Sequence, residues 1–300
     1  MNLRELEYLV AIDEERHFHR AAERCFVSQP TLSGQLKKLE QELGLLLVER
    51  NNRQVSMTDA GLDVAEQARR ILGEVRALRD LAQSYQDPMT GEVQLGLIPT
   101  VAPYLLPVIM PVLNKQFPKL KFWLHEYQTH VLLEKLLRAE LDLLILALPV
   151  DTNEFEELDL FREPFQLAVP KSNPMAKADA INMGDLSQQE VLLLKEGHCL
   201  RGQALDVCLL AGAIENASFR ASSLETLRHM VGEGMGMTLI PELAVPKKKT
   251  KSDSTQYVPF SDPKPNRRIG MLYRKGSYRN ECFLQMAEVI KTSLPVGIFF

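Results

Sequence analysis

The hydrophobic pattern of the chain changes at Gly91, and this change constrains the fold more than any other feature. Before Gly91, apolar residues recur at the three- and four-residue spacing of helices. After it, short apolar strand-like runs alternate with helical stretches up to the C-terminus. The βαβαβ order over residues 92–148 predicts a parallel sheet with helices on its faces. We therefore expect a mainly α-helical N-terminal part followed by an α/β region.

The same pattern predicts the domain boundaries. Residues 1–58 are expected to form a winged helix-turn-helix domain, and residues 59–88 a linker helix. Residues 89–300 are expected to form a two-lobed α/β domain, with the chain crossing between lobes near Phe161 and returning near Arg267. The lobes would then comprise about 89–162 with 267–300 (lobe I) and about 163–266 (lobe II). Ligands of such folds bind in the cleft outside the carboxyl ends of the strands.

Three helices and a hairpin are predicted within the N-terminal domain. The third helix begins at Ser28, whose hydroxyl can cap it, has Pro30 in its first turn and stops at Gly44. Asn51 and Asn52 separate two apolar strand-like pieces, which indicates a hairpin wing. The second and third helices would make a helix-turn-helix, whose third helix enters the major groove of DNA.

The candidate DNA-contacting residues lie on the third helix, the wing and the first helix. Hydroxyl and amide side chains suit base edges and phosphate oxygens, and Lys or Arg can reach the DNA backbone or minor groove. These candidates are Gln29, Pro30, Thr31, Ser33, Gln35, Lys37, Lys38, Arg50, Arg53 and Arg4. The net charge of −4 does not indicate DNA binding, and residues 1–58 carry 8 Lys/Arg against 9 Asp/Glu. A three-helix interaction module with a solvated polar face is the alternative.

Residues 58–87 show the most uniform helical periodicity in the chain. Thr58 can cap this helix, and it stops at Asp87-Pro88. Its length of about 28 residues corresponds to roughly 42 Å. The narrow apolar stripe favours pairing with a second copy of the chain, and packing on its own domain is the alternative.

The composition is that of a soluble globular protein. It is 45% hydrophobic and 25% charged, without an apolar run of membrane-spanning length or a signal-peptide core. We therefore expect a cytoplasmic location. Four cysteines are too few for a disulfide framework, and each is by default a small buried hydrophobe. His198-Cys199 with one distant cysteine lacks the paired spacing of zinc motifs, so we expect no metal and no cofactor.

Cys199 is placed differently from an ordinary core cysteine. A strand ends at Lys195–Glu196, Gly197 makes a turn, and a helix over 199–211 begins at Cys199. A thiol at a helix N-terminus faces unpaired N–H groups and the positive end of the helix dipole, which favours the thiolate. His198 and Arg201 can add positive potential.

The spacing of Cys199 and Cys208 has a geometric consequence. Nine residues apart on one helix, they would lie on opposite faces and about 13.5 Å apart along the axis. A disulfide needs Cα atoms within about 7 Å, so the helix would have to break before the pair could bond. Oxidation would thus be coupled to a conformational change. The alternative is that Cys208 is a core residue without a redox role.

The segment FHRAAERCFVSQPTLSGQLKKLEQELGLLLVERNNRQVSMTDAG closely resembles the N-terminal signature of LysR-type transcription regulators. This resemblance implies a winged helix-turn-helix, a linker helix and a two-lobed, periplasmic-binding-protein-like regulatory domain. It also implies a dimer or tetramer that binds pseudo-palindromic sites in double-stranded DNA and acts with RNA polymerase.

Two further segments, GHCLRGQALDVC and SFRASSLETLRHMVGEGMGMTLIPELAVP, resemble the peroxide-sensing members of that family. The likeness implies that Cys199 is the peroxidatic cysteine and Cys208 the resolving one. It further implies a peroxide pocket lined by Thr100, Thr129, His198 and Arg267, with the register of Arg267 against its neighbour Arg268 left open. Ser218 stands where the best-known members carry histidine.

These features bear on three candidate functions. The first is a regulator that controls antioxidant genes and senses hydrogen peroxide through a Cys199 sulfenic acid and then a Cys199–Cys208 disulfide. A thiol reductant such as glutaredoxin with glutathione, or thioredoxin, would reset it. The second is a LysR-type regulator that binds a metabolite between its lobes. The third, a thiol peroxidase, does not explain a winged helix and linker helix, so we expect no enzyme.

Overall fold

The computed structural model describes residues 1–51, 54–84, 87, 89–150, 153–197, 199–246, 253–294 and 298. The chain forms two compact units, which are described separately. The first comprises Met1–Tyr85 with Arg138–Glu140, and the second comprises Gln86–Leu137 with Leu141–Phe300.

The first unit contains four helices and a β-hairpin. They are α1 (Leu3–Glu15), α2 (Phe18–Arg24), α3 (Gln29–Leu43), β1 (Val48–Asn51), β2 (Gln54–Met57) and α4 (Asp59–Ser84). As predicted, the Ser28 side chain accepts from Thr31 N–H at the start of α3, and Gly44 ends it with φ +67°. The hairpin is also present, but Asn51 pairs with Gln54 as the last residue of β1. The prediction that Asn51 forms the turn was therefore wrong, and Asn52 lies outside the described residues.

The junction between the hairpin and α4 requires a hydroxyl at position 58 and a glycine at position 61. The Thr58 hydroxyl donates to Leu46 O (2.7 Å) and accepts from Gly61 N–H (2.9 Å), so it ties the start of α4 to the preceding strand. A Cβ at position 61 would lie 2.0 Å from Leu47 O. Only glycine therefore fits at Gly61 without a backbone shift.

Helix α4 is held to its own unit by part of its surface. Ala65 and Ala68 are buried, and Arg69 forms an ion pair with Asp13 of α1. Leu62 and Leu78 lie on the same helix and are exposed. The apolar stripe predicted from the sequence is thus only partly covered within the unit.

The second unit is an α/β structure built on a seven-stranded sheet. Its helices are α5 (Ala102–Gln116), α6 (Thr129–Leu137), α7 (Cys199–Ala211), α8 (Leu224–Gly232) and α9 (Asn280–Ser293). Its strands are β3 (Gly91–Leu97), β4 (Leu120–Glu126), β5 (Leu143–Leu148), β6 (Phe155–Pro170), β7 (Glu190–Leu194), β8 (Ile214–Ala221), β9 (Thr238–Pro241), β10 (Thr255–Pro259) and β11 (Asn266–Arg274). Short 3-10 turns span Pro174–Lys177, Met183–Leu186 and Glu242–Ala244.

The sheet order is β10-β6-β11-β5-β3-β4, with β9 also pairing β6. The parallel pairing predicted for the βαβαβ segment is confirmed, because β3 runs parallel to both β4 and β5. The later strands differ from that pattern, since β11 lies antiparallel to β5 and β6. A separate two-stranded parallel sheet is formed by β7 and β8.

Strand β6 is longer than its apolar pattern indicates. Its first part, 155–164, pairs with β11, and its second part, 165–170, pairs with β9 and β10. Only the second part, FQLAVP, has the apolar content that predicts a strand, because the first part is rich in acidic residues. Strand β10 was not predicted either.

Two hydrophobic clusters fill the second unit. The first cluster is built around Leu95, Ile109, Leu144 and Phe283, between the β3–β5 strands and helices α5 and α9. The second cluster is built around Leu167, Leu192, Val207, Leu227 and Leu239, where α7 packs against β7 and β8, and α8 packs against β6, β7 and β9.

The described residues contain neither a membrane-spanning helix nor a metal-binding cluster. No helix among them has both the length and the apolar character needed to cross a membrane. In the same part of the chain, no group of three or more His, Cys, Asp or Glu side chains is arranged to hold a metal ion.

Candidate thiol site and DNA-binding surface

Helix α7 begins at Cys199, directly after a tight turn. Strand β7 ends at Leu194, and Gly197 adopts φ +92°, a conformation that glycine accepts most readily. A Cβ on Gly197 would also lie 2.6 Å from the Gln128 amide oxygen. The first N–H groups of a helix have no partner within it, so the Cys199 side chain lies at a site that favours negative charge.

The two cysteines of α7 have different surroundings. Cys199 is partly buried and packs against the first cluster. Cys208 is 1% exposed and belongs to the second cluster. Both are free thiols in this structure. Oxidative pairing therefore requires Cys208 to leave a hydrophobic cluster and the helix between them to open.

The environment of Cys208 keeps its thiol protonated at neutral pH. Burial, together with the nearby Glu215 carboxylate, raises the pKa of Cys208 to about 11. Only the thiolate is a strong nucleophile, so Cys208 is unreactive while α7 is intact. The two thiols of α7 therefore differ: Cys199 lies at the helix N-terminus, and Cys208 is buried and protonated.

A narrow pocket with about 150 Å³ of unfilled space lies beside Cys199. It is lined by Ile98, Pro99, Thr100, Gln128, Thr129, Gly197 and Cys199. In this conformation it is too narrow to enclose a water-sized sphere. Even a small molecule therefore enters only when lining side chains move.

The Thr129 hydroxyl is an unusual feature of this pocket. Its oxygen is buried, and among the described residues nothing forms a hydrogen bond with it. Buried polar groups are nearly always paired, and an unpaired one in a native structure calls for an explanation. A small polar ligand in the pocket would supply the missing partner.

Thr100, another residue of this pocket, is held by a buried arginine. Arg267 donates through Nη1 to Thr100 Oγ1 (3.0 Å) and through Nη2 to Thr100 O (3.0 Å). Its Nε donates to Glu163 Oε2 at 2.8 Å, and both charged side chains are fully buried. The neighbouring Arg268 is instead at the surface, where it pairs with Asp159. Arg267 is therefore the arginine that reaches the pocket wall.

Other residues near α7 differ from their sequence-based interpretation. Arg201 makes two hydrogen bonds to Glu215 (2.8 and 2.9 Å) and one to Leu194 O, so its charge is matched by a carboxylate. Ser218 is exposed on β8, bonds to Asn216 and does not line the pocket. His198 lies outside the described residues.

A second, larger cleft adjoins the pocket and shares Thr100 and Gln128 with it; about 490 Å³ of this cleft is wide enough to hold water. Tyr104 of α5 donates to Glu225 Oε1 of α8 across this cleft, at 3.0 Å. The cleft also contains Lys195, Ser222 and Ser223. This is the space that a metabolite would occupy in the alternative function.

On the first unit, α3 presents its polar face to solvent. Gln29, Pro30, Thr31, Lys37 and Lys38 are exposed, and Ser33 and Gln35 are partly so.

Several candidate DNA contacts have partners within the unit. Lys38 Nζ lies 3.3 Å from the buried Glu5 carboxylate, so part of its charge is matched. The exposed Arg4 donates from Nε to the Tyr8 hydroxyl at 3.3 Å. Arg50 lies on β1, and its side chain and all of Arg53 lie outside the described residues.

Comparison with known proteins assigns the chain to a family. Residues 3–62 match the model described as a bacterial regulatory helix-turn-helix protein of the lysR family, and residues 86–295 match the LysR substrate binding domain. The chain belongs to the LysR family. The predicted fold class, a winged helix-turn-helix followed by an α/β regulatory domain, is thereby confirmed.

Three relatives illustrate how far the similarity extends. This LysR-family chain is 50% identical to a hydrogen peroxide-inducible genes activator of Dickeya chrysanthemi, over 99% of the chain and 97% of that protein. The full-length OxyR C199D structure from Pseudomonas aeruginosa is 37% identical, with 98% and 95% coverage and a TM-score of 0.75. A hydrogen-peroxide-bound OxyR mutant of Corynebacterium glutamicum is 34% identical, with 97% and 92% coverage and a TM-score of 0.67.

Sequence reasoning missed two residues of the site in this LysR-family chain. Gln128 precedes Thr129 directly, so the YQTH segment pointed to its neighbourhood without singling it out. Glu163 gave no signal, because it lies between Arg162 and Pro164 in a segment whose charges favour exposure. Its burial depends on a partner 104 residues away.

Proposed function

We propose that this LysR-family chain is a cytoplasmic, DNA-binding transcription regulator that senses hydrogen peroxide by oxidation of Cys199 and controls antioxidant genes. The observation that carries the proposal is the pocket beside Cys199. It combines a thiol at a helix N-terminus with the unpaired hydroxyl of Thr129 and with Thr100, which Arg267 holds in place. The peroxide-related names of its relatives point to the same signal.

The first chemical step uses the Cys199 thiolate as the nucleophile. Its sulfur attacks one oxygen of hydrogen peroxide, an S–O bond forms, and the O–O bond breaks. Sulfur is oxidised by two electrons, and the distal oxygen leaves as hydroxide and takes up a proton to become water. Hydroxyl groups in the pocket can hydrogen-bond the peroxide and stabilise the charge that develops on the leaving oxygen.

The second step joins the two cysteines. Cys208 attacks the sulfur of the Cys199 sulfenic acid, forming the S–S bond and breaking the S–O bond. The thiol proton of Cys208 leaves with the hydroxyl group as water. Since Cys208 is buried on α7, this step follows opening of the helix, and the refolded segment is the signal to the rest of the protein. A thiol reductant, such as glutaredoxin with glutathione or thioredoxin, then restores both thiols.

The remaining assignments follow from the first unit. The polar face of α3, with Gln29, Thr31 and Ser33, reads base edges and phosphates of a pseudo-palindromic DNA site. Leu62 and Leu78 of α4 are exposed and would be covered by a second copy, giving a dimer or a tetramer. RNA polymerase is the partner through which activation occurs. The chain is not an enzyme in this scheme, because each oxidation consumes one peroxide until a reductant acts.

Peptide mapping by mass spectrometry tests the proposal. Full-length protein treated with about one equivalent of hydrogen peroxide should lose about 2 Da in a peptide pair joining Cys199 and Cys208, reversibly with a thiol reductant. Cys208→Ser should stop at a sulfenic acid on Cys199, a gain of about 16 Da, and Cys199→Ser should not react. Cys282→Ser removes a different buried thiol and should behave as the unchanged protein. Both thiols staying reduced in the unchanged protein would refute the peroxide step.

The 490 Å³ cleft favours a second candidate, a regulator driven by a metabolite. Cys199→Ser separates the two functions. A peroxide sensor loses its response with this substitution, whereas a metabolite-driven regulator still changes its DNA binding when its inducer is added.

A further inference from the structure

Both oxygens of the Glu163 carboxylate accept hydrogen bonds, one from Arg267 and the other from the backbone. Glu163 Oε2 accepts from Arg267 Nε at 2.8 Å, and Oε1 accepts from the backbone N–H of Leu243 at 2.7 Å. Both side chains of the pair have no solvent exposure. A charge buried in this way needs a partner, and Glu163 is the only carboxylate in ion-pair contact with Arg267 among the described residues.

This pairing determines which way the guanidinium faces. With Nε bound to Glu163, Nη1 of Arg267 donates to the Thr100 hydroxyl, and Nη2 lies 2.8 Å from Glu163 Oε2 and also donates to the Thr100 carbonyl oxygen. The guanidinium group is planar and its donors form a rigid fork, so fixing one edge fixes the other. The position of Thr100 in the pocket wall therefore depends on a carboxylate that does not itself line the pocket.

The direction of the hydrogen bond matters for the chemistry. An arginine can only donate, so the Thr100 oxygen is an acceptor toward Arg267 and its own proton remains available for donation. A hydroxyl whose oxygen accepts from a cation is a stronger donor, because hydrogen bonds in a chain polarise one another. The O–O bond of peroxide breaks with negative charge on the leaving oxygen, which a donor at this position stabilises.

We propose that Glu163 is a positioning residue for the oxidation of Cys199: through Arg267 it holds Thr100 as a hydrogen-bond donor to peroxide. This inference rests on the proposed function, since it concerns the same reaction. Glu163 also connects two parts of the fold, because Leu243, whose N–H it binds, follows β9, while Thr100 follows β3. It thus ties the wall of the pocket to the turn that follows β9.

The test measures two reactions of one thiol in full-length protein: oxidation of Cys199 by hydrogen peroxide and its alkylation by iodoacetamide. Alkylation by iodoacetamide has no leaving oxygen that a hydrogen-bond donor could stabilise. Its rate therefore reports only how accessible the Cys199 thiol is and how readily it ionises. In Glu163→Gln the peroxide rate constant should fall about 10- to 100-fold with little change in alkylation. Glu163→Asp, which keeps the charge, should retain part of the rate and serves if the glutamine variant does not fold. Asp159→Asn, which breaks the exposed pair of Arg268, is the matched control and should leave both rates unchanged.

Double substitution identifies the route of the effect. If Glu163 acts through Thr100, Glu163→Gln should slow oxidation much less in a Thr100→Val background than in the unchanged protein. The inference would be overturned if Glu163→Gln lowered the peroxide and alkylation rates in parallel, or if it changed neither rate. It would also be overturned if the effects of Glu163→Gln and Thr100→Val on the peroxide rate were fully additive. These results differ from failure of the proposed function, in which Cys199 of the unchanged protein does not react with peroxide at all.

Discussion

Cys199 and Cys208 lie on the same helix, yet they pack against different hydrophobic clusters of the regulatory domain. The first contacts the cluster formed by β3–β5, α5 and α9, and the second is enclosed by the cluster beneath α7 and α8. Joining them therefore requires more than rotation of a side chain. In the proposed function, we expect the energy of opening α7 to set the rate of the disulfide step. Four predictions concern this helix, its pocket and the DNA-binding unit.

The opening of α7 should depend on alkaline pH. Burial raises the pKa of Cys208 from 9.0 to about 11, so the protonated thiol stabilises the closed helix fully below about pH 9. Between about pH 9 and 11 the open segment ionises before the closed one, and this stabilisation is lost as the pH rises. The shift of two pH units favours opening by up to about a hundredfold.

This prediction can be measured on a Cys199→Ser, Cys282→Ser background, in which Cys25 is distinguished by peptide mapping. The rate of Cys208 alkylation should keep rising up to about pH 11 in the folded protein and level off near pH 9 in denaturant. The same midpoint in both states would contradict it.

Glu215→Gln should accelerate disulfide formation. Glu215 holds the first turn of α7 through two hydrogen bonds from Arg201, which keep the pKa of this carboxyl below its ordinary value. The pair is therefore intact at neutral pH and is lost only as the pH falls through that lowered pKa. Its removal should weaken α7 by about 1 kcal/mol and speed the step after sulfenic acid formation about fivefold.

Stopped-flow oxidation followed by quenching resolves that step from the first. Glu190→Gln is the control, because it removes a hydrogen bond from Asn216 between β7 and β8 and leaves the Arg201–Glu215 pair in place. An equal acceleration in both variants would show that the Arg201 pair has no particular role.

Thr129→Val should separate reactivity from stability. The Thr129 oxygen is buried without a partner, so replacing it by a methyl group should leave the free energy of unfolding unchanged or raise it by about 1 kcal/mol. The rate of Cys199 oxidation should nevertheless fall at least about tenfold, because the pocket loses a hydrogen-bonding group. Thr238→Val gives the contrast: its hydroxyl donates to Leu192 O at 2.7 Å, and its loss should destabilise the protein by about 1 kcal/mol. Denaturant unfolding measures the stability of both variants, and peroxide kinetics measure their rates of Cys199 oxidation. A large loss of stability in Thr129→Val would count against a ligand-binding role for Thr129.

Gly61→Ala should destabilise the DNA-binding unit. The added methyl group would meet Leu47 O at 2.0 Å, and relieving that contact requires a backbone shift at an expected cost of about 1–3 kcal/mol. Gly34 of α3 has open space around its Cα, so Gly34→Ala should instead stabilise the helix by about 0.5–1 kcal/mol. Thermal unfolding in the absence of DNA compares the two. A Gly61→Ala protein as stable as the unchanged chain would show that this junction tolerates a shift.

The elements whose limits depend on neighbouring residues could be predicted from the sequence. Those that depend on pairing with residues far away in the chain could not. Ser28 and Gly44 delimit α3 as predicted, since caps depend on residues a few positions apart. The first half of β6 escaped detection because Glu156, Glu157 and Asp159 face solvent while the backbone pairs with β11, more than 100 residues later.

The site shows the same division. Gly197 and Cys199 could be placed at a turn and a helix N-terminus from their neighbours alone. Adjacent strand residues face opposite sides, so one of Arg267 and Arg268 had to point inward, but the pattern did not tell which. Glu163, whose burial depends on that choice, could not be identified without the three-dimensional contact.

Helix α7 packs mainly on the two-stranded β7–β8 sheet, whereas α8 also packs on strands of the seven-stranded sheet. In the proposed function, the element that unfolds for signalling is thus attached to a sheet of only two strands. We expect this arrangement to confine the structural change of each oxidation to one cooperative unit, of the kind that opens separately in native-state hydrogen exchange. Recovery after stress would then be a local repair of α7 and not a new folding reaction of the whole domain.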